Sequence, residues 1–198
     1  MWHNEIVVVA KVSAMFMRHV KSFAARLAVT AWVIAGAGAC TESSSAATAV
    51  TQGWSSYKNE RFGFQLSYPG GLFQLTETPN SDSGALWRST DGTARLLATA
   101  TVNETSETIE TYREFVMRET YADAKFEYTP TKENWFVLSG QKGDTIFYER
   151  ITFVCQGRFI YGWQLNYPVS QKRKYDAIVE AIHRSYKPGR GEGGACAN

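Results

Sequence analysis

"DTIFYERITFVCQGRFIYGWQLNYP", Asp144 to Pro168, is the stretch that decides the fold. In its second half Phe159, Tyr161, Trp163, Leu165 and Tyr167 occupy alternate positions, the period of a strand with one face buried. Its first half reads as a second long strand, and Gln156-Gly157 supplies a tight hairpin between them. Strands joined by so short a turn run antiparallel, because a parallel pair needs a crossover of about a dozen residues or more. Just upstream, "WFVLSG", Trp135 to Gly140, is a continuous apolar run and a candidate central strand, with "GQKG" as the turn into the next. The second half of the chain is therefore predicted to be a meander.

On the N-terminal side, Phe62, Phe64, Leu66 and Tyr68 alternate with polar or small residues up to Pro69-Gly70-Gly71, and mark a half-buried strand. Ala94, Leu96, Ala98, Ala100 and Val102 repeat the pattern after the turn "STDGT". Ile109, Tyr112, Phe115 and Val116 then fall at helical spacing, predicting an amphipathic helix to about Thr120 with Ser106 as N-cap and Glu107 and Glu110 near the positive end of the dipole. After the meander, Tyr175, Ile178, Val179, Ile182 and Tyr186 predict a last helix that stops at Pro188-Gly189. Strands, helix, meander, helix is an α+β order, an antiparallel β-sheet with helices packed on it, and not a βαβ alternation.

The N-terminal region gives an address. The apolar run Leu27–Ala39 follows Arg18, His19, Lys21 and Arg26 and closes on Gly36, Ala37, Gly38 and Ala39, the three-part pattern of an export signal. It is shorter than the roughly 20 apolar residues that a membrane-spanning helix needs. "MFMRHVKSF" is itself a complete signal start, so Met15 or Met17 is the expected initiator. Residues 1–39 are assigned to the signal region, 40–53 to a flexible tether built on "TESSSAATAVTQG", 54–187 to one domain, and 188–198 to a glycine-rich tail. Ala37 and Ala39 suit ordinary signal cleavage, while Ala37-Gly38-Ala39-Cys40 resembles the lipobox of bacterial lipoproteins, with Ala37 where that family usually has Leu. Either peptidase would leave Cys40 first. Lipid attachment at Cys40 would account for an odd cysteine among Cys40, Cys155 and Cys196 in an oxidising compartment.

Without residues 1–39, which hold four of the basic and one of the acidic residues, 17 basic and 18 acidic residues remain of 21 and 19. So balanced a charge argues against a nucleic-acid partner.

"YKNERFGFQLSYP", "NWFVLSG" with "IFYER", and "LNYP" followed by "YDAIVEAIHRSY" resemble the PsbP-like family, named for an extrinsic subunit of the photosynthetic oxygen-evolving complex. The opening Y-x-N-x-x-F-G-F-x-x-x-Y-P is the most recognisable piece, and the resemblance spans about Trp54 to Tyr186. It implies an α/β/α sandwich and a binding or accessory role, because similar domains in bacterial envelope lipoproteins and in a eukaryotic import factor act through surfaces. It brings no catalytic residue with it.

No catalytic, metal or cofactor constellation stands out. His183 reads as a helix-flank histidine. Asn80, Asp82 and Asp91 could meet around a hard cation, and an alternative secreted hydrolase or metal-assisted enzyme would use the carboxylates near Asp82 and Asp91, but they lack the spacing of a calcium loop and read as turn residues. Asn103-Glu104-Thr105 is a three-residue sequon of the kind that arises by chance. Core or edge packing is the default reading of Trp54, Tyr57, Trp87 and Trp135, which are also the residues to consider for a binding surface. Cys155 and Cys196 are expected to form a disulfide, the glycines from Gly189 to Gly194 giving the tail its reach, against the alternative of two free thiols. The expectation is a non-enzymatic, lipid-anchored envelope protein, periplasmic or on the cell surface, with an unknown envelope protein or small ligand as partner.

Overall fold

In the computed structural model the described residues are 53–79 and 81–196; Cys40, the signal, the tether and Asn80 lie outside them. The strands are β1 Trp54–Lys58, β2 Gln65–Pro69, β3 Phe73–Glu77, β4 Gly84–Ser89, β5 Arg95–Val102, β6 Lys125–Tyr128, β7 Thr131–Lys132, β8 Trp135–Lys142, β9 Thr145–Val154 and β10 Phe159–Pro168. Helix α1 is Ile109–Glu119 and α2 is Lys172–Ser185. One antiparallel sheet runs β3-β4-β5-β10-β9-β8-β6, with β7 also paired to β8, and β1 and β2 form a separate two-stranded sheet. This is the α+β class that the element order predicts.

The β9–β10 hairpin pairs Val154 with Phe159 and Thr145 with Pro168. Its connection holds Cys155, Gln156 and Gly157 at positive φ, so the turn begins one residue earlier than Gln156-Gly157 suggests. Alternation along the two strands then sorts side chains to opposite faces. Ile146, Tyr148, Arg150, Phe159, Tyr161, Trp163, Leu165 and Tyr167 face α2 and the β1–β2 hairpin, whereas Phe147, Glu149, Ile151, Phe153 and Ile160 face α1.

Helix α2 lays Tyr175, Ile178, Val179 and Ile182 on the first of these faces. The hairpin is clamped beside it by Gln65 N–H to the Lys187 carbonyl at 3.0 Å, the reciprocal Lys187 N–H at 2.9 Å, and Ser67 N–H to Ser185 Oγ at 2.9 Å. Asn59 shapes the hairpin's turn, its backbone N–H donating to the Phe64 carbonyl and its Oδ1 accepting from Phe62 N–H. Phe62, Phe64 and Leu66 are thereby driven into the core. The expected alternating strand exists, but it lies on top of the main sheet and not within it.

Helix α1 packs Ile109, Tyr112 and Val116 on β8, β9 and β10. Its N-cap is Thr108, whose hydroxyl and that of Thr111 make a reciprocal capping box; Ser106, the expected cap, sits at positive φ before it. The edge strands β3 and β6 each carry a register shift, at Leu75/Glu77 and Phe126/Tyr128. Such bulges twist an edge away from pairing with another chain.

Candidate binding niche on the helix α2 face

Of the four aromatic residues considered for a binding surface, Trp87 is a correction: it takes their default place in the core. It is 0 % exposed, on β4, under Tyr57 and Tyr68 at ring distances of 4.9 and 5.0 Å. Inward-facing positions of a strand covered by a hairpin carry no ligand surface; they carry core. Trp54 and Tyr57 are half-buried in that hairpin and pack on the same core. Trp135 is different. It faces the α2 side from β8, opposite Thr152, and is half-buried at a place where side chains of four elements converge.

The convergence is built by periodicity. Tyr148 and Arg150 are two apart on β9 and so share a face, and Arg150 pairs with Val137 on β8 and Trp163 on β10. The Arg150 guanidinium lies 4.8 Å from the centroid of the Trp135 ring and 5.9 Å from that of Tyr186, the C-cap of α2. Its Nη1 is 3.2 Å from Nε2 of His183 on the last turn of α2, and the Tyr148 hydroxyl is 3.0 Å from His183 Nδ1. Tyr148 in turn stacks on Trp163 at 5.0 Å and 27°.

Protonation states follow from these contacts. Burial first, then the positive charges of Arg150 and Arg184, push the His183 pKa down, so the imidazole is neutral at neutral pH. Burial pushes the Tyr148 phenol up to about 12, against the opposing pull of Arg150. Arg150 Nη1 also lies 3.4 Å from His183 Nδ1, so either neutral tautomer satisfies both neighbours. With the hydrogen on Nδ1, that nitrogen donates to the Tyr148 oxygen and Nε2 accepts from Arg150; with it on Nε2, Nδ1 accepts from the Tyr148 hydroxyl and from Arg150. In the first tautomer the Tyr148 hydrogen is left free to donate. The Arg150 Nε is buried without a hydrogen-bond partner among the described residues.

A concavity of about 930 Å³ opens elsewhere, beside the β9–β10 turn at the N-terminus of α1, lined in part by Glu107, Glu110, Glu133 and Arg158. Asn103 latches its floor: Nδ2 donates to the Glu107 and Gly157 carbonyls, both at 2.8 Å, and Oδ1 accepts from Glu107 N–H at 2.9 Å. Both hydrogens of the nitrogen that a glycan would modify are thus committed. Cys155 lines this cleft and is disulfide-bonded to Cys196, with Cα atoms 5.2 Å apart.

The carboxylates considered for an enzyme do not meet. Asp82 precedes β4 and Asp91 follows it, so a six-residue strand, about 20 Å long, separates them. Asp91 accepts from Ser89 and Thr93, which holds its carboxyl well below the usual range and makes it a turn residue. Among the described residues no group of three or more His, Cys, Asp or Glu is placed to hold a metal ion.

Sequence reasoning missed Arg150, Tyr148 and Glu149. The available signal was "YER", two charges in an otherwise apolar strand, one of which must point to each face. Glu149, on the α1 side, is 8 % exposed, and its Oε2 has no hydrogen-bond partner among the described residues. Burial pushes its pKa up to about 7, with the Tyr121 hydroxyl beside it pulling the other way.

No known family and no curated protein matches the sequence. Among solved structures, the chain is similar to the cyanobacterial PsbP of Synechocystis sp. PCC 6803, with a TM-score of 0.49 at 12 % identity over 76 % of this chain and 98 % of that one. It is also similar to the Ran-binding protein Mog1p of Saccharomyces cerevisiae, with a TM-score of 0.46 at 11 % identity over 68 % of this chain and 95 % of that one. A Bacteroides thetaiotaomicron protein gives 0.40 at 16 % identity, over 66 % of this chain and 46 % of that one. At such identities neither a partner nor a role transfers.

Proposed function

We propose that the chain is an exported, lipid-anchored envelope protein whose domain is a non-catalytic binding module for an envelope protein or a small ligand. The observation that carries the reading is the Cys155–Cys196 disulfide. It consumes two of the three cysteines and leaves Cys40, at the end of the signal-like run, as the single thiol available for acylation. A disulfide between residues 41 apart in sequence suits an oxidising compartment. The binding role is supported by the niche around Arg150, where polar groups are held in place by packed rings.

The test is Cys40→Ala expressed in a bacterial host. The variant is expected to lose fatty-acid labelling and membrane fractionation while the domain keeps the parent's melting temperature. Stable anchoring needs more than one acyl chain, and a processed lipoprotein N-terminus supplies them. Persistent membrane association without label would overturn the anchor.

A further inference from the structure

We propose that Arg150, Tyr148 and His183 form a binding site for a carboxylate, with the Arg150 guanidinium and the Tyr148 hydroxyl as its donors. The inference rests on the reading of the domain as a binding module and is independent of the lipid anchor.

The first argument is an excess of donors. A guanidinium offers five N–H groups and accepts nothing. Around Arg150 the acceptors are one imidazole nitrogen and the faces of Trp135 and Tyr186. Arg61, Arg118 and Arg184 each pair with a glutamate, whereas among the described residues no carboxylate lies within ion-pair distance of Arg150. The Tyr148 hydroxyl adds a second donor in the tautomer that carries the His183 hydrogen on Nδ1, which a bound carboxylate would select.

The second argument is preorganisation. Trp135 and Tyr186 flank the guanidinium, while Trp163 fixes the Tyr148 ring. The rotamer entropy that a surface arginine loses on binding is largely lost already in the fold. All four of Trp135, Tyr148, Arg150 and His183 are half-buried, so a ligand's head group meets them in a partly desolvated setting.

The third argument is charge. With His183 neutral the site presents one positive charge, which a monoanionic carboxylate balances. A phosphate dianion would be left half neutralised.

The carboxylate could belong to a small organic acid or to an acidic side chain of a protein, and the experiment separates the two. The purified full chain is titrated with benzoate, its neutral isostere benzamide, phenyl phosphate, and a capped glutamyl tripeptide with its glutaminyl analogue, following the Arg150 side-chain and His183 ring resonances by NMR. Benzoate, the glutamyl peptide or both are expected to saturate the site, and benzamide and the glutaminyl peptide not to. Benzoate alone identifies a small acid as the source, and the peptide a protein segment.

Arg150→Gln is expected to weaken binding by at least about tenfold, the worth of a charge-assisted bond. Tyr148→Phe, which keeps the ring and its stacking, is expected to weaken it several-fold; it decides the matter if the arginine variant fails to fold. Equal binding of benzamide, tighter binding of phenyl phosphate, or unchanged affinity in folded Arg150→Gln would overturn the proposal. Recovery of the glutamyl peptide intact keeps the binding-module reading, whereas its cleavage would end that reading and leave the site in place.

Discussion

The two faces of the main sheet are closed in different ways. The face toward α2 is sealed mainly with rings, Trp87, Tyr161, Trp163 and Tyr167 beside Leu165, under a helix and a hairpin, with Arg150 placed at the margin. The face toward α1 has a smaller apolar patch, and there a polar stripe lies within the sheet itself, with Glu149, Gln164 and Thr99 all buried. Gln164 donates to the Tyr121 hydroxyl, and Tyr121 stacks on Phe147 at 3.9 Å. An apolar face can be sealed by any well-shaped neighbour, but a face with a buried carboxylate depends on its protonation state. The core of the first face supplies stability that does not vary with pH, His183 being at its margin, whereas the second carries a titrating carboxylate in its interior.

The largest expected effect comes from breaking the ring-sealed face. Trp163 is 1 % exposed, and Trp163→Arg would bury an unpaired charge between α2 and the sheet. A loss of more than about 4 kcal/mol, enough to unfold most domains of this size, is expected in chemical denaturation. A variant that melts like the parent would show that Trp163 is not where the register places it.

Removing the disulfide that ties the tail to the end of the same face should cost less. The chain-entropy model gives about 4 kcal/mol for a loop of this length. The tail keeps other ties: Gly191 N–H to the Tyr161 hydroxyl at 2.8 Å, and the Arg61–Glu192 pair at 2.9 Å. Cys155→Ser with Cys196→Ser is therefore expected to lower stability by about 2–4 kcal/mol without unfolding the domain. Free-thiol titration of denatured, periplasm-derived protein checks the bond itself, with two reactive thiols in the domain refuting it.

The smallest and most specific effect tests the polar face. Glu149 has a folded pKa raised to about 7, above its ordinary value. Its contribution is fully present below the unfolded carboxylate's pKa, and it is lost as pH rises through the folded value. Glu149→Gln removes that loss. The variant should gain on the parent by about 2–3 kcal/mol above pH 7, and the gain should shrink as pH falls toward 4.5. Denaturation curves at pH 5 and pH 8 measure it; a difference that does not vary with pH would place the charge elsewhere.

What was legible in the sequence was whatever one strand or helix writes in its own period. Helices α1 and α2 were readable because each buries one stripe and exposes the other, and the β9–β10 hairpin because β10 alternates large, mostly aromatic residues with smaller ones although both of its faces are buried. β4 was not: "GALWRS" is buried on both faces and shows no alternation. β3, β6 and β7 are edge or short strands with little buried surface to write a pattern. The disulfide was an expectation from the odd cysteine count and the glycine-rich tail, with two free thiols as its alternative, and the structure supplies the pair. The niche was not, since its four residues come from β8, β9 and α2 and are ordinary one by one. Trp87 and Trp135 show the limit most clearly, as identical residues on strands of one sheet, one wholly enclosed and the other half open.

The sequence by itself determined the α+β class and the alternation of the strands at Ala94–Val102 and Phe159–Tyr167, because these depend on local period and turn chemistry, and it made Cys155 with Cys196 the expected pair without fixing it. Only the tertiary structure decided that Phe62–Tyr68 covers the sheet without joining it, that Asp82 and Asp91 are a strand's length apart, and that Arg150 meets His183 across two elements. Alternation reports that a face is buried and is silent on what buries it. The partner of a side chain is set by strand order and helix docking, which arise from packing between segments distant in the chain.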